Sequence, residues 1–338
     1  MEIFHNYSLK DLNTFGVNAR AAYFVEISSE KSLIEIINNK KLKWLDILIL
    51  GGGSNILFTK NYNGLILKNE IKGIKIVDEN KEHVFIKAGG GLTWSSLVDY
   101  CVDKNYGGIE NLTLIPGTVG AAPVQNIGAY GVELKDVLHS VDGMFLADGE
   151  KKSFLADDCE FSYRNSIFKT KLKNSFFITK ITLKLSKKPK TNIDYNTLKK
   201  EFEKSDPSKI TIKQVRDAVK RIRMNKLPDP AVLGNAGSFF KNPEIRLDEL
   251  DGLKKEYPSI VSFRGKGKRV KLSAGWLIEQ CGWKGIRFGN TGTYEKQSLV
   301  IVNHNNATGR EIHNFARLIQ DTVYEKFKIQ LVPEVNII

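Results

Sequence analysis

The pattern of apolar and polar positions predicts a chain of mixed strands and helices. The apolar run at residues 44–50 is followed by Gly-Gly-Gly-Ser-Asn at 51–55, and it predicts a buried strand that enters a glycine turn. Residues 55–68 hold two apolar clusters around an Asn-Gly pair, which predict a strand, a turn and a second strand. A phosphate-binding loop of the P-loop or Rossmann type requires a helix at this point, so neither is predicted.

Four segments have the spacing of amphipathic helices. They begin at Thr93, at the capping-box pair Thr211 and Gln214, at Ser273 and near Gly309. The prolines at positions 228 and 230 lack a backbone donor and favour extended geometry, so the second helix is expected to end before Leu227. A domain boundary is expected at the same place.

Glycine and basic clusters near these helices have ordinary structural explanations. The glycine triplet at 89–91 lacks GxGxxG spacing and is not followed by Lys-Ser/Thr, so it predicts a packing turn. The basic segment at 264–271 is expected to be the solvated tip of a hairpin. The second helix carries basic residues mostly off its apolar face, where a solvated surface is favoured over nucleic-acid binding. These residues are Lys213, Arg216, Lys220, Arg221 and Arg223.

The segment at 107–131, GGIENLTLIPGTVGAAPVQNIGAYG, is crowded with Gly, Ala and Pro and is almost uncharged. Loops are usually polar, so this composition needs a physical reason. Small residues allow close backbone approach, and successive N–H groups can form an anion-binding concavity. A tightly packed crossover between two sheets explains the same composition equally well, and the residues alone leave both interpretations open.

Size and composition are those of a globular protein. A length of 338 residues predicts two or three domains, and 41% apolar with 26% charged residues is ordinary for a folded chain. No window approaches the roughly 18 consecutive apolar residues of a membrane span, and the first ten residues do not resemble a signal peptide. We therefore expect a cytoplasmic protein that does not enter a membrane.

The formal net charge of +13 favours polyanionic partners such as nucleic acid, nucleotides or phosphorylated sugars. Lysine accompanies abundant asparagine and isoleucine along the whole chain, so compositional bias could account for much of this charge.

Cys101, Cys159 and Cys281 are widely separated without CxxC spacing, so buried thiols are expected. No two of the five histidines have i, i+4 spacing, and no metal site is predicted.

The nonapeptide NAGSFFKNP at 235–243 has neither helical nor strand periodicity. It predicts a loop that presents Ser238, with Gly237 leaving room for a ligand and with Phe239 and Phe240 as anchors. In isolation, a serine beside a glycine is usually an ordinary turn residue.

Several sequence blocks together are characteristic. They are NTFGV (13–17), LILGGGSNILF (48–58), IPGTVGAAPVQNIGAYG (115–131), YRNSIFK (163–169), LPDP (227–230), GNAGSFFKNP (234–243), AGWLIEQCG (274–282) and PEV (333–335). In this order they resemble the UDP-N-acetylenolpyruvoylglucosamine reductase family, flavoenzymes of bacterial peptidoglycan synthesis. The resemblance spans nearly the whole chain, and the third block and the serine block are its most specific parts.

The resemblance implies an α+β protein with an FAD-binding fold of the vanillyl-alcohol-oxidase type in two subdomains and an α+β substrate-binding domain. The implied division is 1–70 with 328–338, then 71–224, then 225–327. The FAD pyrophosphate is expected on backbone N–H groups of the glycine turn and of the small-residue loop. The implied cofactor-binding residues are Gly51, Gly52, Gly53, Ser54, Asn55, Pro116, Gly117, Thr118, Gly120, Ala121, Gln125, Asn126, Gly128, Ala129 and Tyr130.

The resemblance also implies two half-reactions in one cleft. NADPH reduces the flavin and leaves, and UDP-N-acetylglucosamine-enolpyruvate then receives hydride from flavin N5 on its terminal vinyl carbon. Arg164 and Glu334 match the family arginine and glutamate that stabilise the resulting enolate, a role that suits a two-point guanidinium donor and a buried, protonated carboxyl. Ser238 matches the family serine that donates the final proton.

Further matching positions are expected to contact substrate, with a lysine at the diphosphate. They are Tyr163, Tyr195, Lys226, Asn242 and Gln297. The segment at 192–198 and the chain length are typical of the longer, type I subclass, whereas the loop at 289–298, with Tyr294 and Gln297, matches only loosely. We expect a monomer whose partners are these small molecules and not nucleic acid.

Two rival functions stay open on the sequence. Another flavoprotein of the same fold, such as an alcohol oxidase, would share the FAD loops but would not need Arg164, Ser238 and Glu334 together. A basic nucleic-acid-binding protein would explain the charge, but the chain has no recognition motif and no interleaving of aromatic and basic residues.

Overall fold

The chain forms two compact units in a computed structural model that describes residues 2–265, 267–304 and 306–338. The first unit contains the chain up to Tyr7, Ala21–Gly52 and Asn63–Arg223. The second unit contains Ser8–Arg20, Gly53–Tyr62 and Met224–Ile338. Helices and strands are mixed in both units.

The described residues form strands along the whole chain. In chain order they are β1 (Phe4–Ser8), β2 (Arg20–Ile27), β3 (Ile47–Leu50), β4 (Ile56–Leu57), β5 (Tyr62–Asn69), β6 (Ile74–Glu79), β7 (His83–Gly89), β8 (Gly128–Ala129), β9 (Val132–Glu133), β10 (Leu138–Phe145), β11 (Lys151–Leu155), β12 (Phe176–Ser186), β13 (Gly234–Ser238), β14 (Glu244–Arg246), β15 (Ser262–Arg264), β16 (Arg269–Leu272), β17 (Arg287–Phe288), β18 (Thr291–Tyr294), β19 (Gln297–Asn303) and β20 (Asn336–Ile337). The α-helices are α1 (Glu30–Ile37), α2 (Trp94–Asp103), α3 (Asn196–Glu201), α4 (Ile212–Lys226), α5 (Leu247–Glu256), α6 (Ala274–Gln280) and α7 (Gly309–Phe327).

Two sheets organise the first unit. The larger is antiparallel with the order β11-β10-β12-β7-β6, and its central strand β12 is buried along most of its length. Helix α2 buries Trp94, Leu97 and Val98 in the core cluster that this sheet shares. The smaller sheet has the order β1-β2-β5-β3, with β3 parallel to β5, and β3 leads directly into Gly51 and Gly52.

The second unit has two antiparallel sheets and a parallel strand pair. The sheets have the orders β13-β19-β18-β17 and β14-β16-β15. Strand β20 pairs parallel with β4, and Thr59 N donates to Ile338 O at 2.7 Å, which fixes the last residues of the chain within this unit. Helices α6 and α7 bury Leu277, Phe315 and Ile319 in its core.

The four predicted helices are confirmed, together with the N-terminal caps predicted for α2, α4 and α6. Thr93 Oγ1 accepts a hydrogen bond from Ser96 N at 3.2 Å at the start of α2. Thr211 N donates to Gln214 Oε1 at 2.8 Å, and Gln214 N donates to Thr211 Oγ1 at 3.3 Å, which completes the predicted capping box of α4. Helix α4 ends at Lys226, directly before Leu227.

Two details of the predicted strands are wrong. The strand before the glycine turn begins at Ile47, and Trp44 lies outside it with a side chain that is 92% exposed. The Asn63-Gly64 pair lies inside β5 and forms no hairpin turn. The reason is topological, because β4 and β5 belong to different sheets and β5 pairs parallel with β3, an arrangement that requires a crossover and not a two-residue turn.

The glycine triplet at 89–91 is a packing turn, as predicted. A β-carbon on Gly90 would lie 2.6 Å from Ile178 O, and one on Gly91 would lie 2.5 Å from Glu70 Cα. The predicted basic hairpin is also confirmed, since β15 and β16 pair antiparallel, while Lys266 of that segment lies outside the described residues.

The solvated interpretation of the basic face of α4 is only partly right. Lys213, Lys220 and Arg221 are exposed. The Arg216 side chain is only 14% exposed, and its Nη1 lies 3.0 Å from Asp99 Oδ1 in an ion pair. Arg223 is also partly buried, and its Nε atom is inaccessible to solvent.

Two of the three cysteines are buried thiols as predicted, and Cys281 is only half-buried. Burial raises the pKa of Cys101 to about 12, so this thiol stays protonated and unreactive at neutral pH.

Within the described part of the chain, no helix has both the length and the apolar character needed to cross a lipid bilayer.

Candidate active site

The small-residue loop of the first unit folds as two 3₁₀ turns and a tight hairpin. The turns are Val119–Ala121 and Pro123–Gln125, and β8 pairs with β9 in the hairpin. A β-carbon on Gly120 would lie 3.1 Å from Gly90 Cα, and one on Gly51 would lie 2.6 Å from Thr118 Oγ1. Close packing therefore accounts for Gly120 and Gly51.

This loop and the glycine turn also present donors that suit an anion. Within the described part of the chain, the N–H groups of Gly52, Gly117 and Thr118 have no hydrogen-bond acceptor. The buried Thr118 Oγ1 likewise has no partner there. Thr118 is buried, and an unsatisfied buried donor is rare, whereas Gly52 is exposed and Gly117 is half-buried. Adjacent backbone N–H groups bind phosphate oxygens, so the turn and the loop fit an FAD pyrophosphate.

The rest of the glycine turn belongs to the second unit. Gly53 has a φ of +65°, and a β-carbon there would overlap Leu12 O, so both its conformation and its surroundings require glycine. Asn55 Nδ2 donates to Glu334 O at 3.2 Å, and Asn55 O accepts from Asn336 Nδ2 at 2.9 Å. Ser54, between them, is half-buried.

Arg164 occupies a tight turn in the first unit. Ser162 N donates to Asn165 O at 3.1 Å, Asn165 N donates to Ser162 O at 3.2 Å, and Arg164 between them has a left-handed φ of +55°. Its Nη2 donates to Gly128 O at 3.0 Å, and its guanidinium lies 5.4 Å from the centre of the Tyr163 ring. The structure therefore joins the predicted arginine to the small-residue loop.

A second arginine, Arg223, lies near Arg164, although its position on α4 predicts exposure to solvent. Burial lowers the pKa of Arg223, the neighbouring Arg164 lowers it as well, and a hydrogen-bonded Tyr130 raises it. The Arg223 Nε atom is buried and has no hydrogen-bond partner among the described residues. Tyr130, the hydrogen-bond partner of Arg223, packs edge-to-face on Tyr195, with 5.4 Å between the ring centres. The sequence held a signal, since Arg223 continues the buried i, i+4 series of Val215 and Val219.

Ser238 lies at the end of a strand and not in a loop, which corrects the sequence-based expectation. Residues 234–238 form β13, and the register against β19 shifts between Asn235 and Ser238. Gly237, with a φ of +67°, donates its N–H to Asn235 Oδ1 at 2.9 Å within this bulge. Ser238 is exposed, and the predicted anchors Phe239 and Phe240 are 0% and 1% exposed.

Glu334 lies beside the residues that follow Ser238. Glu334 N donates to Phe239 O at 2.7 Å, and Lys241 N donates to Val332 O at 2.9 Å, so the two segments pair through their backbones. Glu334 itself is half-buried. The second unit thus brings Ser238 and Glu334 together on one backbone framework.

The proposed substrate contacts are distributed over both units. Tyr195 precedes α3 and is 41% exposed, and Lys226 is the exposed last residue of α4. Asn242 Oδ1 accepts from Ala274 N at 3.0 Å, which caps the start of α6. Gln297 begins β19, and its Oε1 accepts from Leu299 N at 3.5 Å.

No group of three or more His, Cys, Asp or Glu side chains is placed to hold a metal ion among the residues that the structure describes.

Comparison with known proteins matches this chain in two blocks. Residues 229–338 match the family described as UDP-N-acetylenolpyruvoylglucosamine reductase, C-terminal domain, and residues 21–154 match an FAD binding domain. Proteins named UDP-N-acetylenolpyruvoylglucosamine reductase are similar over the full length. The one from Amoebophilus asiaticus is 46% identical over 338 residues, and the one from Flavobacterium johnsoniae is 44% identical over 339 residues, each match covering 100% of both chains.

A solved structure gives the same picture of the fold. The UDP-N-acetylenolpyruvylglucosamine reductase of Thermus caldophilus superposes with a TM-score of 0.67 at 24% identity, over 99% of this chain and 98% of that one. The expected α+β class and FAD-binding fold are confirmed by these matches.

Proposed function

The chain belongs to the UDP-N-acetylenolpyruvoylglucosamine reductase family of FAD-dependent oxidoreductases, and we propose on that basis that it reduces the enolpyruvyl group of UDP-N-acetylglucosamine-enolpyruvate with NADPH. The product is the lactyl ether of UDP-N-acetylmuramate, a peptidoglycan precursor. The observation that carries this proposal is the pairing of the Glu334 backbone with Phe239, next to the exposed hydroxyl of Ser238.

FAD, when bound, accepts hydride from NADPH and supplies it from N5 to the terminal vinyl carbon of the substrate. The N–H groups of Gly52, Gly117 and Thr118, which have no acceptor among the described residues, support a role of this turn and loop in holding the FAD pyrophosphate. By the family resemblance, NADPH and the sugar nucleotide are expected to use one nucleotide site in turn, which fits a sequence without a second dinucleotide fingerprint.

Arg164 is proposed to hold the substrate carboxylate, on which negative charge grows as hydride arrives. Its tie to Gly128 O limits the directions in which the guanidinium can point, and an oriented donor stabilises developing charge without reorganisation. Arg223 supports this assignment, because a second guanidinium nearby adds positive potential where an anion would lie.

Glu334 and Ser238 are proposed to complete the reaction. Glu334, with its proton, stabilises the enol, and the Ser238 hydroxyl gives its proton to the carbon next to the carboxylate. The carbanionic centre is strongly basic, so a weakly acidic hydroxyl suffices as donor. The exposure of Ser238, on a backbone anchored by two buried phenylalanines, supports its role as the presented group.

The remaining contacts are proposed for the sugar nucleotide. Lys226, exposed at the end of α4, suits the diphosphate. Asn242, which accepts a hydrogen bond from Ala274 N, and Gln297, at the start of β19, offer amide groups. Tyr163 and Tyr195 supply aromatic faces beside Arg164 and Tyr130. These assignments rest on the match of position and on side-chain chemistry.

The organisation of the chain is proposed in the same way. We expect three subdomains at 1–70 with 328–338, 71–224 and 225–327. The first compact unit ends at Arg223, which supports a boundary there between the last two subdomains. We also propose that the protein is a cytoplasmic monomer whose partners are small molecules and not nucleic acid.

The test is anaerobic stopped-flow spectroscopy of both half-reactions on purified protein. We expect a yellow flavin spectrum, bleaching by NADPH, and recovery on addition of the enolpyruvyl sugar nucleotide. A colourless protein that takes up no FAD would exclude the flavoenzyme proposal. A yellow protein that NADPH bleaches, but that the enolpyruvyl substrate does not reoxidise, would exclude this substrate.

A further inference from the structure

Asn126 is enclosed within the first unit, although the family resemblance assigns this residue to the cofactor. Its exposure is 0%, and its φ of +44° is in the left-handed region, which asparagine tolerates better than most residues. Asn126 Oδ1 accepts from Lys135 N at 3.0 Å. Its Nδ2 donates to Glu133 Oε2 at 3.0 Å and to Ser162 O at 3.3 Å. The carboxamide therefore faces protein groups on every side.

The bond to Ser162 O connects the small-residue loop to the turn that carries Arg164. Two more hydrogen bonds join the same segments, from Arg164 Nη2 to Gly128 O at 3.0 Å and from Ser166 Oγ to Val124 O at 2.8 Å. Residues 162–166 are thus fixed to residues 124–128 at three points. The left-handed backbone of Arg164 is less stable for arginine by about 1 kcal/mol, and such a conformation persists only where its surroundings hold it.

We propose that Asn126 is a positioning residue for Arg164, and that its carboxamide fixes the turn so that the guanidinium is oriented before a carboxylate ligand arrives. This inference rests on the proposed role of Arg164 in substrate binding. A misplacement of about 1 Å in a binding group can reduce a rate about 100-fold, so a residue that never touches substrate can affect its reduction. The small-residue loop and the arginine then move as one body.

The test uses Asn126→Asp in FAD-loaded protein. Aspartate keeps the volume and the acceptor for Lys135 N, but it removes both donated hydrogen bonds. We expect the Kd of the enolpyruvyl sugar nucleotide for oxidised holoenzyme, followed by flavin absorbance without turnover, to rise about 10-fold, and reoxidation to slow about 10- to 100-fold. FAD content and NADPH bleaching should stay within about twofold of the parent. Asn174→Asp is the matched control, because Asn174 is also left-handed (φ +56°) but exposed, and it should match the parent in all four measurements.

A double-mutant cycle separates positioning from general damage. Arg164→Met should impair substrate binding and reoxidation, and adding Asn126→Asp to Arg164→Met should cause no further loss, because Asn126 acts through the arginine. Additive losses, or an Asn126→Asp protein that binds and reduces substrate like the parent, would overturn the inference. If Arg164→Met itself binds and reduces substrate normally, the proposed role of Arg164 fails instead. If Asn126→Asp does not fold, Ser166→Ala takes its place, because it removes the hydrogen bond to Val124 O. Adding Ser166→Ala to Arg164→Met must likewise cause no further loss.

Discussion

A β-carbon on Gly52 would lie 2.8 Å from the α-carbon of Gly117. The carbonyl carbon and nitrogen of Gly117 would follow at 3.3 and 3.5 Å, so the obstacle is backbone and no side chain can rotate away from it. The glycine turn after β3 and the small-residue loop can approach this closely because Gly52 has no side chain. Both residues also carry N–H groups without an acceptor in the described part of the chain, so close packing and available hydrogen-bond donors coincide here.

Gly52→Ala should therefore weaken both the fold and the hold on FAD. The added methyl group must push the two segments apart, which we expect to destabilise the protein by about 1–3 kcal/mol, as overpacking usually does. The measurements are the ratio of flavin to protein absorbance after gel filtration and the midpoint of thermal unfolding.

The matched control is Gly252→Ala on α5. A β-carbon at Gly252 would meet no atom within 4 Å, so the same substitution should stabilise the helix by up to about 1 kcal/mol and leave FAD retention unchanged. If both alanine variants kept FAD and unfolded at or above the parent temperature, the crossing at Gly117 would not need glycine.

Ser238→Ala should separate the two half-reactions. Because Ser238 is exposed, we expect a change in unfolding free energy within about 0.5 kcal/mol. NADPH should bleach the flavin at the parent rate, whereas the proton needed by the substrate carbon is lost, and reoxidation should slow at least about 100-fold. Rapid-mixing absorbance of each half-reaction measures both rates.

Ser259→Ala serves as the control for Ser238→Ala, because Ser259 is exposed in the same unit and has no proposed role. It should match the parent in both half-reactions. Reoxidation of Ser238→Ala at the parent rate would exclude Ser238 as the proton donor.

Glu334→Gln should impair the same half-reaction through a different cause. The pairing with Phe239 uses the backbone N–H of Glu334, so this substitution leaves that framework intact. An amide cannot share a carboxyl proton with the enol, and we expect reoxidation to slow about 10- to 1000-fold with little change in NADPH bleaching. The exposed Glu325→Gln on α7 is the control, and equal rates for the two variants would remove Glu334 from the mechanism.

The sequence predicts features that nearby residues determine. Thr93 caps α2 through Ser96, three residues away, and this spacing is visible in the chain. Asn126 is different, because the group that gives it a role is Ser162 O, 36 residues further on, and a single sequence does not show that pairing. Arg223 had a helical-spacing signal, but charge suggested solvent, and only its contact with Tyr130 reveals the inward orientation.

Ser238 shows the same limit on strand prediction. Its residues lack alternation because a bulge shifts the register against β19 between Asn235 and Ser238, and bulges interrupt the period that sequence analysis uses. The family resemblance identifies Ser238 as the residue to examine. It does not reveal strand β13, because that strand is defined by its pairing with β19.

Glu110 should make the stability of the protein depend on pH. It is 2% exposed, and its Oε2 accepts from Gly108 N at 2.7 Å. Burial raises the pKa of Glu110 above its ordinary value of 4.5, and the backbone N–H groups of Gly108, Glu110 and Ile109 oppose this rise. The folded protein then keeps the proton to higher pH than the unfolded chain, so the stability that protonated Glu110 contributes is complete below pH 4.5 and is lost as the pH rises through the folded pKa.

Glu110→Gln removes this titration while keeping an acceptor for Gly108 N. We expect the free energy of unfolding of Glu110→Gln to fall less than that of the parent as the pH rises above the ordinary glutamate pKa, because the neutral amide does not acquire a buried charge. Urea unfolding at a series of pH values measures the two slopes. Glu203→Gln, at an exposed position of the same unit, should keep the parent slope. A Glu110→Gln slope equal to that of Glu203→Gln would mean that Glu110 ionises in the folded protein as easily as in the unfolded chain.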